Sequence, residues 1–405
     1  MIKRCFLLCL SMFLMQITLA QKVVVSGIVT DEYTGRPVPM ANVRAERGGE
    51  SVVTNDDGVF VLKTSDASVA IVVTHLGYQS QRIGVHVHGT PVSVRLKPAT
   101  VALKEVVVKL NEPRQLVNIA IKKIPKNYST QPESYECFYR ETAMKRQHYI
   151  YVAEGVVDMY KTGYDRSTAR DRVAIRKGRR LVSSRQSDTL GVKVMGGPVQ
   201  PIQLDVVKNT DFLLNAEELD AYSFSMGVPT TIGDRQQFVV EIAPRWEKPY
   251  PLFFGKLYID CETLAFTRAE LTLDIHNREK ATSYMLIRKP FGVKFKPKEL
   301  SCTIDYQTDA DSITRISYIR NVFRFNCDWK KRLLATSFTA TCEMVVTGRS
   351  SDHAHPISGH ASFDTHEAFY DQVNFFRDPD FWEDYNIIEP SERLDKAIGK
   401  ILKRY

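Results

Sequence analysis

The sequence predicts a mainly β protein: an N-terminal sandwich of seven or eight strands, then a large curved antiparallel sheet or open barrel with short flanking helices. Three observations lead there. Short apolar runs separated by turn residues fill the stretch from Lys22 to Lys97, the spacing of a small sandwich. Longer β-type runs dominate from Tyr135 to Thr347. Helical periodicity is confined to two brief stretches, one near Pro113 and one after Pro390.

In the first block the runs are Val23–Val29, Ala41–Ala45, Val59–Leu62, Val69–Thr74 and Val92–Leu96. Between them lie Asp31–Pro37 and Thr54–Gly58, where glycine supplies positive φ and Asp or Asn bonds its own turn. Pro113–Ile124 reads as a short helix with Val117, Ala120, Ile121 and Ile124 on one face. The second block is expected to form strands at 135–144, 149–160, 237–243, 255–260, 264–275, 282–288, 294–306, 313–325 and 338–346. Ala269, Leu271, Leu273 and Ile275 alternate with Arg268, Glu270, Thr272 and Asp274, which gives a half-buried antiparallel strand. Between Asp165 and Ile232 the pattern loosens, and Arg166, Arg170, Arg172, Arg176, Lys177, Arg179, Arg180 and Arg185 read as the solvated face of an excursion from the sheet. The chain closes with a helix striped by Leu394, Ile398, Ile401 and Leu402, with Pro390 in its first turn.

Residues 1–20 read as a secretory signal: Lys3 and Arg4, an apolar run from Cys5 to Met15, then Thr18-Leu19-Ala20. Gln21 stands where a lipid-modified signal needs cysteine, so release without a lipid anchor is expected. No later stretch has the length of apolar chain that a spanning helix needs. The domain reading is 1–20 signal, 21–98 sandwich, 99–112 linker, 113–376 β-rich body with an N-terminal helix, and 377–405 C-terminal segment and helix. The chain has 55 basic and 47 acidic residues, and loss of Lys3 and Arg4 with the signal changes the net charge from +8 to +6. Of seven cysteines, Cys137, Cys261, Cys302, Cys327 and Cys342 remain; they sit singly in apolar runs and are expected to be buried thiols.

Val25–Asp31, Thr34–Pro39, Ala41-Asn42-Val43, Thr54–Phe60 and His75-Leu76-Gly77-Tyr78 together resemble carboxypeptidase-regulatory-like domains. The resemblance implies a transthyretin-like sandwich that is an accessory module without an active site, common at the N-termini of exported proteins of Bacteroidota-type bacteria. Leu103–Val108 is similar to the stretch joining such domains to the plug of TonB-dependent receptors. The 297 residues after Val108 cannot supply a 22-strand barrel and its loops, so the receptor reading is rejected. The hairpin Gly255–Phe266 is similar to one in lipoprotein-carrier-like open barrels.

Two constellations could carry chemistry. His353, His355, His360 and His366 fall within 14 residues beside Asp352, Asp364 and Glu367, and a metal-dependent hydrolase would use them. Their spacing matches no established zinc motif, and the loop around Pro356, Ser358 and Gly359 is polar. His276-Asn277-Arg278-Glu279 has the bare spacing of zinc carboxypeptidases but follows a strand at a polar turn. Phosphate loops, nucleophile elbows and dinucleotide fingerprints do not occur. No cofactor is called for, no catalytic residue is assigned, and the basic segment lacks the interleaved aromatics of a nucleic-acid site. Tyr149, Tyr151, Phe253, Phe254, Tyr258, Phe266, Phe291, Phe295, Phe323 and Phe325 read as core, or as the lining of a concave apolar site.

The expectation that follows is a non-enzymatic binding or scaffold protein of the cell envelope, periplasmic or associated with the outer membrane. It would hold a lipid, a glycan or an outer-membrane protein on its curved sheet. An accessory role in TonB-dependent transport is the other envelope reading.

Overall fold

A computed structural model describes residues 22–65, 70–85, 90–100, 112–185, 192–194, 196–210, 213–329, 335–350, 354–364, 367–375, 378, 381–382 and 385–403. Residues 1–20, read as a signal, and Leu103–Val108, read as receptor-like, lie outside them.

The N-terminal unit is a seven-stranded sandwich. One sheet holds β1 (Val23–Asp31) between β4 (Val59–Thr64) and β7 (Val92–Leu96). The other runs β3 (Ser51–Val53), β2 (Asn42–Ala45), β5 (Ala70–Thr74), β6 (Gln81–Gly84). Val25, Val29, Phe60 and Leu62 of the first sheet meet Val43, Ile71 and Val73 of the second in one core. The turn residues act as their chemistry predicts: Asp31 Oδ1 accepts from the Tyr33 and Thr34 amides, and Asn55 Oδ1 from Asp57 and Val59. β3 and β6 were not legible because a three-residue strand leaves too little alternation and Gln81–Gly84 has one apolar side chain, Ile83.

The body opens with helices α1 (Pro113–Lys122) and α2 (Ile124–Asn127). Its strands are β8 (Glu133–Lys145), β9 (His148–Lys161), β10 (Arg172–Val182), β11 (Lys193–Val194), β12 (Tyr222–Met226), β13 (Thr230–Ile232), β14 (Arg235–Pro244), β15 (Phe253–Asp260), β16 (Phe266–Leu273), β17 (Leu286–Arg288), β18 (Val293–Thr308), β19 (Thr314–Trp329), β20 (Thr336–Arg349) and β21 (Asn374–Phe375). Between them come α3 (Gln200–Gln203), α4 (Arg278–Met285) and α5 (Phe369–Gln372), and α6 (Glu392–Leu402) follows. Twelve strands form one sheet in the order β12-β14-β15-β16-β18-β19-β20-β8-β9-β10-β21, with β13 beside β14, and the sheet does not close. Register shifts at Ala143/Met144, Ile175/Lys177, Pro297/Glu299 and Val346/Gly348 bend its longest strands.

Two expectations are corrected. Only the last three residues of 282–288 form a strand, β17; α4 occupies 278–285, started by Asn277 Oδ1 accepting the Lys280 amide and held by Ala281 and Met285 one turn apart against the core. The excursion proposed for 165–232 contains a full sheet strand, β10, paired with β9 over its length. Its arginines, and a register shift at Ile175/Lys177 that sends buried Val173 and Leu181 to different clusters, obscured the strand, and carboxylate partners lie on β8 and β9. Arg176 meets Asp158 and Glu136, and Arg179 meets Glu154. A smaller shift concerns α6, whose N-cap is Ser391, accepting from the Leu394 amide; Pro390 precedes the cap.

The inner face of the sheet is filled by the chain itself. Leu116, Val117 and Ala120 of α1, Val206, Val207 and Leu214 of the connecting segment, and Ala281 and Met285 of α4 pack on Tyr139, Val157, Val240, Leu271, Ile304, Phe323 and Phe325. Most of the sheet is therefore covered rather than hollow. The five cysteines are unbridged, four buried and Cys261 half-buried, in line with the thiol reading.

The sandwich and the C-terminal segment pack on the outer face. Val53 of β3 joins Phe138, Val156, Tyr318, Val345, Trp382, Ile387 and Ile388 in a shared cluster. Asn386 pairs with the Lys63 backbone in both directions, at 2.7 and 2.8 Å, imitating a strand neighbour. Ser51 Oγ donates to the Val346 carbonyl and Arg44 meets Asp309 at 3.1 Å. His75 lies in this seam, its Nδ1 3.0 Å from the Leu76 carbonyl. Burial, then the nearby Arg268 guanidinium, pushes its pKa down to about 4. The unfolded imidazole titrates near 6.5, so between pH 4 and 6.5 the unfolded chain holds a proton that the native chain does not. Stability is therefore full above pH 6.5 and falls as pH drops toward 4, by about 2–3 kcal/mol. Denaturant titrations at successive pH values should show this slope in the wild type and a shallower one in His75→Gln; parallel profiles would contradict the assignment.

Candidate ligand-binding cavity

One part of the inner face is not filled. Along β8, Tyr135, Cys137, Tyr139, Glu141 and Ala143 share inward parity, which aims one carboxylate into an otherwise apolar interior. Around Glu141 opens a cavity of about 460 Å³. Its floor is β8, β9 and β20, through Thr142, Ile150, Tyr151, Ala340 and Cys342. Its walls are Val182 and Ser183 at the end of β10, Val192–Val194 with Gly196 and Gly197, and Glu367–Tyr370. The volume falls within the roughly 300–1,000 Å³ of small-molecule sites, and such sites are apolar with a few placed polar groups.

Three donors hold the Glu141 carboxylate. Tyr139 Oη lies 2.6 Å from Oε1, the Gly197 amide 2.7 Å from the same oxygen, and Tyr151 Oη donates to Oε2. Phe369 stands edge-on to Tyr139 at 5.1 Å, and Tyr370 edge-on to Tyr151 at 5.8 Å. Phe369 reaches this place because Gly155 of β9 has no side chain: a Cβ there would sit 2.7 Å from the Phe369 ring. Gly178, the partner of Gly155 across β9 and β10, makes room for Val373 in the same way.

Burial, with the Glu141 charge as a further cause, holds the Tyr139 and Tyr151 phenols and the Cys342 thiol well above their ordinary pKa values. A thiol kept protonated is a poor nucleophile. Glu141, occupied by three donors, is a fixed acceptor that orders the floor.

A second cavity of about 460 Å³ lies in the seam between sandwich and sheet. Most of its charges are matched: Arg268 meets Asp305 at 2.8 Å, Arg235 meets Asp260 at 2.6 Å, and Asp234 accepts from the Ser80 amide, while Arg44 Nε and Asn42 Oδ1 are buried without a hydrogen-bond partner. It is a polar joint between units.

The residues singled out by sequence are dispersed. His355 and His360 are exposed, while His353 and His366 lie outside the described residues. Among the described residues no three His, Cys, Asp or Glu side chains are grouped to hold a metal ion. His276 is exposed, its amide donating to Asp274 Oδ1, and Glu279 sits in the first turn of α4. Phe253, Phe266, Phe295, Phe323 and Phe325 are core; Phe254 and Phe291 are exposed; Tyr151 alone of the named aromatics lines the cavity. Glu141, Phe369 and Tyr370 were missed. A carboxylate at the inward parity of an apolar strand was the available signal for Glu141, and nothing local marks the other two.

Residues 25–108 match the family model of the CarboxypepD_reg-like domain. The seven-stranded sandwich is thus the regulatory-like domain that its motifs indicated. No curated protein matches the chain. Among solved structures, a DUF1329 family protein from Desulfovibrio piger is 11% identical over 58% of this chain and 93% of its own, with a TM-score of 0.25. A LolA superfamily protein from Nitrosomonas europaea is 11% identical over 58% and 94%, with a TM-score of 0.20. Lipovitellin, described for its lipid–protein interactions, is 10% identical over 62% and 28%, with a TM-score of 0.26. All three TM-scores are low. Among the described residues the regulatory-like domain contributes none to the cavity around Glu141; it packs on the outer face.

Proposed function

We propose that this chain is a non-enzymatic binding protein of the cell envelope that holds an apolar, lipid-like ligand in the cavity around Glu141. The observation that carries the reading is a cavity of about 460 Å³ walled by Ile150, Val182, Val192, Val194, Ala340 and Phe369, with the Glu141 carboxylate already satisfied and the other charged groups of the lining, Lys193 and Glu367, not buried. Such a lining rewards burial of an acyl chain or apolar ring at about 25 cal/mol per Å² and gives little purchase to a charged ligand. The leader-like residues 1–20 support an envelope location. The regulatory-like domain acts as an accessory unit that braces the outer face, and among the described residues no helix is long and apolar enough to cross a membrane.

The test is native mass spectrometry and organic extraction of the protein purified from its own envelope, beside Ala368→Phe. Ala368 is half-buried at the cavity wall, so a phenyl group there plugs the space without overpacking a closed core. The wild type is expected to yield a stoichiometric apolar ligand and the variant at least tenfold less. An empty wild type, or equal loading of the two, would overturn the reading.

A further inference from the structure

The turn between β17 and β18 builds a second surface. The Val293 amide donates to the Pro290 carbonyl at 3.3 Å, Gly292 takes a φ of 78°, and Lys289 Nζ reaches the Val293 carbonyl at 2.8 Å. This braced turn presents Phe291 at its apex with a relative exposure of 101%, and Ile287 beside it is 47% exposed. From Arg288 to Lys298 the chain has five basic residues and no acidic one. Arg288, Lys289, Lys294 and Lys298 are exposed, and Lys296 meets Asp328 at 3.2 Å. Strand register, with Val293 opposite Trp329 and Phe338 opposite Lys145, brings the β8–β9 turn and its exposed Arg146 to the same end of the sheet.

We propose that this end of the sheet docks on an anionic bilayer surface, with Phe291 entering the headgroup boundary and Arg288, Lys289 and Lys294 facing lipid phosphates. Charge complementarity selects the partner: each cation near an anionic leaflet attracts it appreciably, and although Lys296 is paired with Asp328, Arg288, Lys289, Lys294 and Lys298 are exposed. The aromatic ring at a rigid apex adds apolar burial that water does not offer, and it does so without a large ordering cost. The place in the fold gives the contact a use. β17 pairs with β11, whose Lys193 and Val194 line the cavity, so a docked β17–β18 turn holds that side of the cavity near the bilayer. Ligand exchange there rests on the proposed function; the docking itself does not.

Cosedimentation of the mature chain with vesicles of phosphatidylcholine alone, and of equimolar phosphatidylcholine and phosphatidylglycerol, tests this. Binding is expected to the anionic vesicles only and to weaken at high salt. Arg288→Gln, Lys289→Gln and Lys294→Gln should each lower affinity about fivefold. Phe291→Ser should lower it roughly fivefold to tenfold, from partial burial of the ring, and Phe291→Trp should keep it. All four sites are exposed, so the circular dichroism of each variant should overlay that of the wild type. Absence of binding to either vesicle, equal binding to both at any salt, or unchanged binding when all four residues are replaced would overturn the proposal. The two readings separate cleanly: Ala368→Phe should lose ligand and still bind vesicles, whereas the four-residue variant should keep its extracted ligand and not bind them.

Discussion

Replacing Arg140 by methionine is expected to destabilise the protein by about 3–5 kcal/mol, the loss typical of breaking a buried charge pair from one side. Arg140 is 3% exposed under the C-terminal segment. Its guanidinium meets Glu154 at 2.7 Å and Glu343 at 3.5 Å, and donates to the Ile388 carbonyl. Without it, Glu154 stays buried with Arg179 as its one remaining ion pair among the described residues. Glu389, whose carboxyl burial already pushes above the usual range and Arg140 pulls down, loses that help as well. The carbonyl of Ile388 is orphaned, so the segment carrying Trp382, Ile387 and Ile388 should detach early and be cleaved first in limited proteolysis. A denaturation midpoint within about 1 kcal/mol of the wild type would contradict this account. The double variant Arg140→Met with Glu154→Leu should recover much of the loss, because it removes the stranded charge together with its partner.

Asp205→Ala should cost a similar amount, about 3–5 kcal/mol, for the same reason on the opposite face. Asp205 is fully buried; it takes Lys161 Nζ at 2.5 Å, Tyr164 Oη at 3.0 Å and Tyr306 Oη at 2.7 Å. Beside it Lys208, held by Asp171 at 2.9 Å, has its pKa pushed down to about 8 by burial and then by the Lys161 charge. Removing Asp205 leaves two neighbouring ammonium groups with less compensation. This cluster ties the segment after α3 to β9 and β18, and the residues just before α3, Gly196 and Gly197, are a wall of the cavity. Ligand loading should therefore fall along with stability, whereas Asp205→Ala with Lys161→Met should regain stability by removing the stranded ammonium. Chemical denaturation and extraction of bound ligand check the two halves; a stable Asp205→Ala that stays loaded would refute both.

The position of these two clusters explains what was hidden. Arg140, Glu154 and Arg179 come from three strands and their lid from the C-terminal segment, so their meeting depends on long-range pairing that no local pattern encodes. The same holds for the cavity. Glu141 is visible as a lone carboxylate of inward parity, but Phe369 and Tyr370 reach it from more than 200 residues away in a short α5 without periodicity. Gly155 and Gly178 carried a readable sign, since glycine inside a strand marks a close approach, yet what approaches is a matter of tertiary packing.

What the amino-acid order determined by itself was local. Period-two alternation specified the faces of β16 and the long strands, Asp31 and Asn55 specified their turns, and the ordered motifs from Val25 to Tyr78 specified the regulatory-like sandwich. These features depend on neighbours a few residues apart, so composition and spacing suffice to read them. Only the tertiary structure decided that β10 belongs to the sheet despite its arginines, that 278–285 is helical, and that the sandwich seats on the outer face. It also decided that most of the inner face is filled, with a cavity left beside Glu141. In each case the deciding term is burial against a distant partner, a carboxylate for Arg179 or a core for Ala281 and Met285, and burial is a property of the folded chain rather than of any segment of it.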